Sequence, residues 1–236
     1  MWTRSFLPPV ILAHHSVGDV EDEQDPRRLV VSPGDLRSQI RALQRLGYRF
    51  ATSEQLLQDY PPPARTAVLT FDDGWLDSLS TASPLMLDLG VRGAFYVCPG
   101  WWDGRHPDVS GPHGKLMGAS EVGELHAAGM EIGSHSMSHR DLRKLALDEL
   151  RNDLSASKEA IEEITGEACR TLAYPFGLFT RREREVAQEV GYELALAWLP
   201  GPWERYATPR LPAPPRNGGR RLLLKMWGLR RPVRLS

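Results

Sequence analysis

With 236 residues, 41% of them hydrophobic and 25% charged, the chain has the length and make-up of one globular domain with a sizeable core. Its formal net charge of −1 excludes a partner selected by bulk electrostatics, so no nucleic acid is expected. Its two cysteines, Cys98 and Cys169, exclude a disulfide framework and a thiolate metal site, and they read as buried free thiols.

In chain order, Pro9–Ala13 reads as a first strand. Ser32-Pro33 then reads as an N-cap with proline at the first helical position. Leu36, Ile40, Leu43 and Leu46 form the apolar stripe of that helix, which Gly47 stops. Pro61-Pro62-Pro63 is a stiff connector. Thr66–Phe71 is a second strand, a helix is expected within Ser78–Leu89, and Gly93–Cys98 is a third strand. A short helix from Ser120 ends at Gly129, and the strand Met130–Gly133 leads to His135. A long amphipathic helix with Leu147, Leu150, Leu154, Ile161 and Ile164 on one face stops at Gly166. Thr171–Tyr174, a helix over Arg181–Val190, and Glu193–Trp198 complete the alternation. Repeated strand-then-helix units predict parallel strands covered by helices, with the active site at the strands' C-terminal edge.

The segment MWTRSFLPPVILAHHSV has no long apolar core and no small-residue cleavage site, and no stretch reaches the ~20 apolar residues of a membrane span. A cytoplasmic location is expected. Between Arg205 and Ser236 there are nine Lys or Arg and no Asp or Glu. The segment Arg220–Arg231 is partly amphipathic, which suits either an anionic membrane surface or a final barrel helix followed by a basic tail. The expected organisation is one catalytic unit over 1–219 and a basic C-terminal tail over 220–236.

Two motifs carry chemistry. Asp72-Asp73-Gly74 ends an apolar strand; it fits an Asp-Gly turn that caps the next helix, or two carboxylates that face different partners. Gly133-Ser134-His135-Ser136-Met137-Ser138-His139 places two imidazoles four residues apart, where a helical turn brings both to one ion. With a carboxylate these form a two-histidine, one-carboxylate set that leaves coordination positions open.

These motifs resemble a known family. Leu69–Trp75 (LTFDDGW), Gly133–Leu142 (GSHSMSHRDL) and Leu172–Gly177 (LAYPFG) resemble, in order and spacing, the first three motifs of the polysaccharide deacetylases, carbohydrate esterase family 4. The resemblance covers about residues 8 to 212. It implies an α/β fold, a distorted (β/α) barrel with about seven parallel strands. It implies Asp73, His135 and His139 as metal ligands, Asp72 as the base toward the attacking water, and the Phe176 N–H in the oxyanion position. The family's late Leu-x-His acid is missing, since no histidine follows His139. Ile11–Val17 instead resembles an early segment of the circularly permuted poly-N-acetylglucosamine deacetylase branch, which implies His15 as the general acid and His14 as the weaker candidate. Ala173 stands where many members carry an arginine that pairs with the base, so Tyr174 or water is expected beside Asp72.

Trp198 is a candidate for the acetyl pocket, and Trp75, Trp101 and Trp102 for a glycan groove. His106, His113 and His126 are expected to have no catalytic role. The implied function is hydrolysis of an N-acetyl group on an aminosugar or glycan, free or lipid-linked, with release of acetate. An O-deacetylase, a sugar deformylase and a carbohydrate-binding degenerate barrel are the alternatives. Zinc is the expected ion, and cobalt, nickel or iron(II) suit the same ligands.

Overall fold

The computed structural model describes residues 7–104, 106, 114–198, 201–216 and 218–228. His113 and the tail beyond Gly228 lie outside the described residues. The ordered elements are β1 (Val10–His14), β2 (Ser16–Val17), β3 (Val30–Val31), α1 (Pro33–Arg45), β4 (Arg49–Ala51) and β5 (Thr66–Phe71). They continue with α2 (Ser83–Asp88), β6 (Ala94–Val97), α3 (Ala119–Ala127), β7 (Glu131–Ser134), α4 (Leu147–Thr165) and β8 (Thr171–Ala173). The last are α5 (Arg181–Glu189), β9 (Leu194–Trp198), β10 (Thr208–Pro212) and α6 (Gly218–Gly228).

Among the described residues, seven parallel strands close a ring in the order β1-β10-β9-β8-β7-β6-β5, and β5 returns to β1. The barrel is distorted at β5. There β4 pairs with Thr66–Val68, while β6 pairs only with Thr70 and Phe71 farther along the strand. The helices begin and end as local chemistry dictates. Ser32 Oγ accepts the Asp35 N–H at 3.1 Å to start α1, and Gly166, at φ 69°, ends α4 in the left-handed conformation.

Strand alternation sorts the side chains into two cores. Val10 and Leu12 of β1, Ala67, Leu69 and Phe71 of β5, and Leu211 of β10 face the helices. Ile11, Val68, Leu194 and Leu196 fill the barrel interior with Tyr96. The same alternation separates the neighbouring histidines. His14 turns outward, stacks on Phe71 with centroids 4.8 Å apart, and lies 2.8 Å from Gln39 Oε1 on α1. It is a core residue, so its candidacy as an acid ends here. Burial lowers its pKa to about 4, against an ordinary 6.5.

The sign of the consequence follows from proton uptake. Between pH 6.5 and 4 the unfolded chain binds a proton at His14 that the folded chain refuses, so stability contributed at this residue falls as pH falls. The stability advantage of wild type over His14→Asn is expected to shrink by about 3 kcal/mol across that window. Urea midpoints of both proteins at several pH values check it, and a constant difference would contradict it.

The β10 strand was not expected, because Pro209 and Pro212 argue against a strand in the interior of a sheet. It nevertheless pairs Thr208–Arg210 with Leu196–Trp198 and Leu211 with Leu12. The helix α6 runs across the boundary expected between 219 and 220 and packs against α1, with Leu222 and Met226 buried. No described helix is long and apolar enough to cross a membrane.

Candidate active site

The site is built where β1, β5, β7, β8 and β10 deliver their C-terminal ends. Asp72 N–H donates to the His14 carbonyl at 2.9 Å, which extends the β1–β5 pairing to the first carboxylate. Asp73 then turns into the left-handed region at φ 74°, followed by Gly74 at φ 77°. Because of this turn, and contrary to the opposed directions of a continuing strand, both carboxylates converge. His135 Nε2 lies 3.9 Å from Asp72 Oδ2 and 3.6 Å from Asp73 Oδ1. His139 Nε2 lies 3.3 Å from the same Asp73 oxygen.

No helical turn joins the two histidines. Ser136 and His139 have φ values of 66° and 52°, and the loop is held by short-range hydrogen bonds. Ser134 Oγ accepts the Ser136 N–H, Ser136 Oγ accepts the His139 N–H, and Asp153 of α4 accepts from the Met137 N–H and the Ser138 hydroxyl. The rings of His135 and His139 end up 4.8 Å apart between centroids.

These residues fit a divalent cation. The ligand atoms of Asp73, His135 and His139 all lie within 4.8 Å of one another. Asp73 Oδ1 is buried with no hydrogen-bond donor. The His135 Nδ1 lies 2.6 Å from the Ala173 carbonyl, which can only accept, so Nδ1 carries the proton and Nε2 presents a lone pair. Burial, followed by the field of His135, lowers the His139 pKa to about 4 and keeps that imidazole neutral.

The Asp72 partner comes from β10. Arg210, fully buried, donates from Nη1 to Asp72 Oδ1 at 2.7 Å and from Nη2 to Oδ2 at 2.9 Å. This corrects the expectation of Tyr174 or water beside the base. The Tyr174 ring is buried, its hydroxyl donates to the Tyr206 carbonyl at 3.1 Å, and it stacks on Phe179. Tyr174 therefore presents no side-chain surface to a substrate. Burial alone would raise the Asp72 carboxyl, but Arg210 and then His135 outweigh it and hold it below the usual range.

His106, expected to have no catalytic role, lies against the site. It is buried beneath Trp75, with rings stacked 4.5 Å apart, and its Nε2 lies 3.2 Å from Asp73 Oδ2. Trp75 Nε1 approaches the same oxygen at 3.4 Å. Trp75 is fully buried, so it supports the carboxylate from behind and does not line a glycan groove. With Oδ2 held by these two donors, Oδ1 is left aimed at the histidines. Burial would raise the Asp73 carboxyl, but the His106 hydrogen bond and the fields of His15, His135 and His139 hold it far below its ordinary value. His106→Phe preserves the stack and removes the hydrogen bond. It is expected to weaken zinc binding by about 10–100-fold in a competition titration with a chelator. Unchanged affinity would leave His106 a packing role only.

Around this centre, His15 follows β1, half-buried, close enough to lower both Asp72 and Asp73. Phe176 has φ 58°, is about half exposed, and sets its ring 4.7 Å from that of His139. Trp198, at the end of β9, keeps 36% of its surface exposed. A side chain at Gly177 would collide with the Trp198 ring, since a Cβ there would lie 1.5 Å from it, so this turn requires glycine. Trp101 packs on His139 at 4.6 Å. His126 lies on α3 beside Glu167, away from this cluster.

Known proteins are similar to this chain in sequence or in fold. The YxkH protein of Bacillus subtilis (strain 168) is 23% identical over 228 residues, covering 92% of this chain and 76% of its own. The Streptococcus pyogenes deacetylase PplD, solved with acetate, superposes with a TM-score of 0.79 at 22% identity, covering 93% of this chain and 97% of its own. IcaB from Ammonifex degensii superposes at 0.74 and 21% identity, covering 89% and 94%. The sequence model of the polysaccharide deacetylases matches residues 59–195, more than half of the chain and all of the Asp72-Asp73 and His135–His139 motifs. This chain belongs to the polysaccharide deacetylase family.

Proposed function

We propose that the chain hydrolyses an N-acetyl group on an aminosugar or glycan with a divalent ion, zinc by ligand chemistry, held by Asp73, His135 and His139. The observation that carries this reading is the donorless Asp73 Oδ1 facing two imidazoles beside the Asp72–Arg210 pair. Bound there, a divalent ion would supply a Lewis acid for the acetyl carbonyl and would lower the pKa of water from about 16 towards 7.

The protein's own groups do the rest. Asp72 takes the proton of the attacking water, and Arg210 fixes the orientation of that carboxylate through both oxygens. The Phe176 N–H donates to the acetyl oxygen as negative charge builds on it. His15 gives its proton to the nitrogen as the C–N bond breaks, so that water and amide become acetate and amine. Trp198 offers an exposed indole face to the sugar or acetyl group.

The test is acetate release from a panel of N-acetylated, O-acetylated and N-formylated sugars, with and without added zinc or cobalt. Release from no member of the panel in metal-loaded protein would reject the reading. His15→Ala is expected to lower kcat about 10²–10⁴-fold with metal content unchanged. Near-normal turnover would place the acid elsewhere.

A further inference from the structure

A cavity of about 660 Å³ opens beside His15 and Trp198, on the catalytic edge of the barrel. Its size is that of a small-ligand site. Its remaining polar wall is cationic: Arg27 and Arg28 from the loop after β2, and Arg221 and Lys225 from α6. No Asp or Glu is among the described residues that line it.

Arg28 and Arg221 form no ion pair among the described residues. The Lys225 ammonium donates to the Pro212 carbonyl at 3.1 Å, a neutral partner at the cavity wall. Burial and then the neighbouring Arg221 charge lower the Lys225 pKa. Two elements far apart in sequence, the loop at Arg27-Arg28 and the helix at Arg221–Lys225, contribute to one wall. A bound oxyanion would pair with cations from both elements, and guanidinium groups match phosphate oxygens in geometry.

We propose that this cavity is a subsite for a phosphate or pyrophosphate group carried by the substrate next to its acetylated sugar. His15 and Trp198 belong both to the cavity wall and to the site described above, so an anion here lies beside that site. The assignment rests on the deacetylase reading for its substrate but not for its binding chemistry.

The test is calorimetric titration of metal-loaded protein with pyrophosphate, at low and at physiological salt. Arg28, Arg221 and Lys225 are exposed, so alanine variants are expected to fold. Arg28→Ala/Arg221→Ala is expected to weaken binding at least about tenfold, whereas Asp73→Ala retains it. Affinity unchanged in the double variant, or lost in Asp73→Ala, would overturn the proposal, the latter by placing pyrophosphate at the metal ligands. On turnover, N-acetylglucosamine 1-phosphate and a lipid-linked N-acetylglucosamine pyrophosphate in vesicles are compared with neutral N-acetylglucosamine. A higher kcat/KM for either phosphorylated form supports the subsite, and the better of the two identifies a soluble or a lipid-borne source. Equal kcat/KM for all three overturns it. Pyrophosphate binding without acetate release from any sugar would instead remove the deacetylase reading and leave the subsite standing.

Discussion

Asp73→Ala is expected to lose zinc and acetate release together, while its neighbour Asp72→Asn keeps the ion and loses turnover. Asp73 Oδ1 faces both imidazoles, and nothing else among the described residues occupies that oxygen. Its removal leaves two neutral nitrogen ligands, and affinity should fall by more than the 10–100-fold typical of changes around a ligand. Asp72 stands on the other side, held by Arg210, with its nearer oxygen 3.9 Å from His135 Nε2. An amide there fills the same space but accepts no proton, so kcat should fall about 10²–10⁴-fold with the metal retained. Metal content by atomic absorption, read beside acetate release on the same samples, separates the two residues. Equal metal loss in both variants would mean that Asp72 is a ligand and that the base is another group.

Arg210→Met is expected to be the most destabilising single change at the site. The pair is fully buried, and losing the cation leaves Asp72 with an uncompensated charge inside the barrel. Such breakage costs about 3–5 kcal/mol. Adding Asp72→Asn to the same protein removes the stranded charge and should restore most of that loss, a coupling that a simple cavity would not produce. Arg210→Lys keeps the charge but not the two-pronged bond, so stability should be intermediate while turnover drops. Urea unfolding of the three variants checks the series. A double variant no more stable than Arg210→Met alone would show that the loss comes from packing against Tyr96 and Thr70, which Arg210 also contacts.

The barrel and the Asp73–His135–His139 cluster were legible in the sequence because both are written locally. Apolar runs followed by helical stripes specify strand-helix units, and Asp72-Asp73 and His135–His139 each arrive as one short motif. His15 came from the resemblance of Ile11–Val17 alone; in the structure it follows β1 close to Asp72 and Asp73, while His14 turns out into the core. The residues that were missed act across distance. Arg210 sits in a strand that its two flanking prolines disguise, and no local period marks it as the partner of a carboxylate 138 residues earlier. His106 lies in an irregular loop, where a histidine has no periodic reason to be anything but solvated. Trp75 and Tyr174 stand inside recognisable motifs, yet both are buried. Their motifs mark backbone turns at the site, and those turns say nothing about which way an aromatic ring is directed.

The pairing of Leu12 with Leu211 has a consequence for how this catalyst comes into being. The ring is joined along a seam between two strands that lie almost a whole chain apart. A growing polypeptide can assemble β5 to β9 early, but Arg210 reaches Asp72 only when that seam shuts. Long-range closure of this kind is slow compared with local pairing. Proton-transfer competence should therefore be the last property to appear during refolding, well after helical signal has returned.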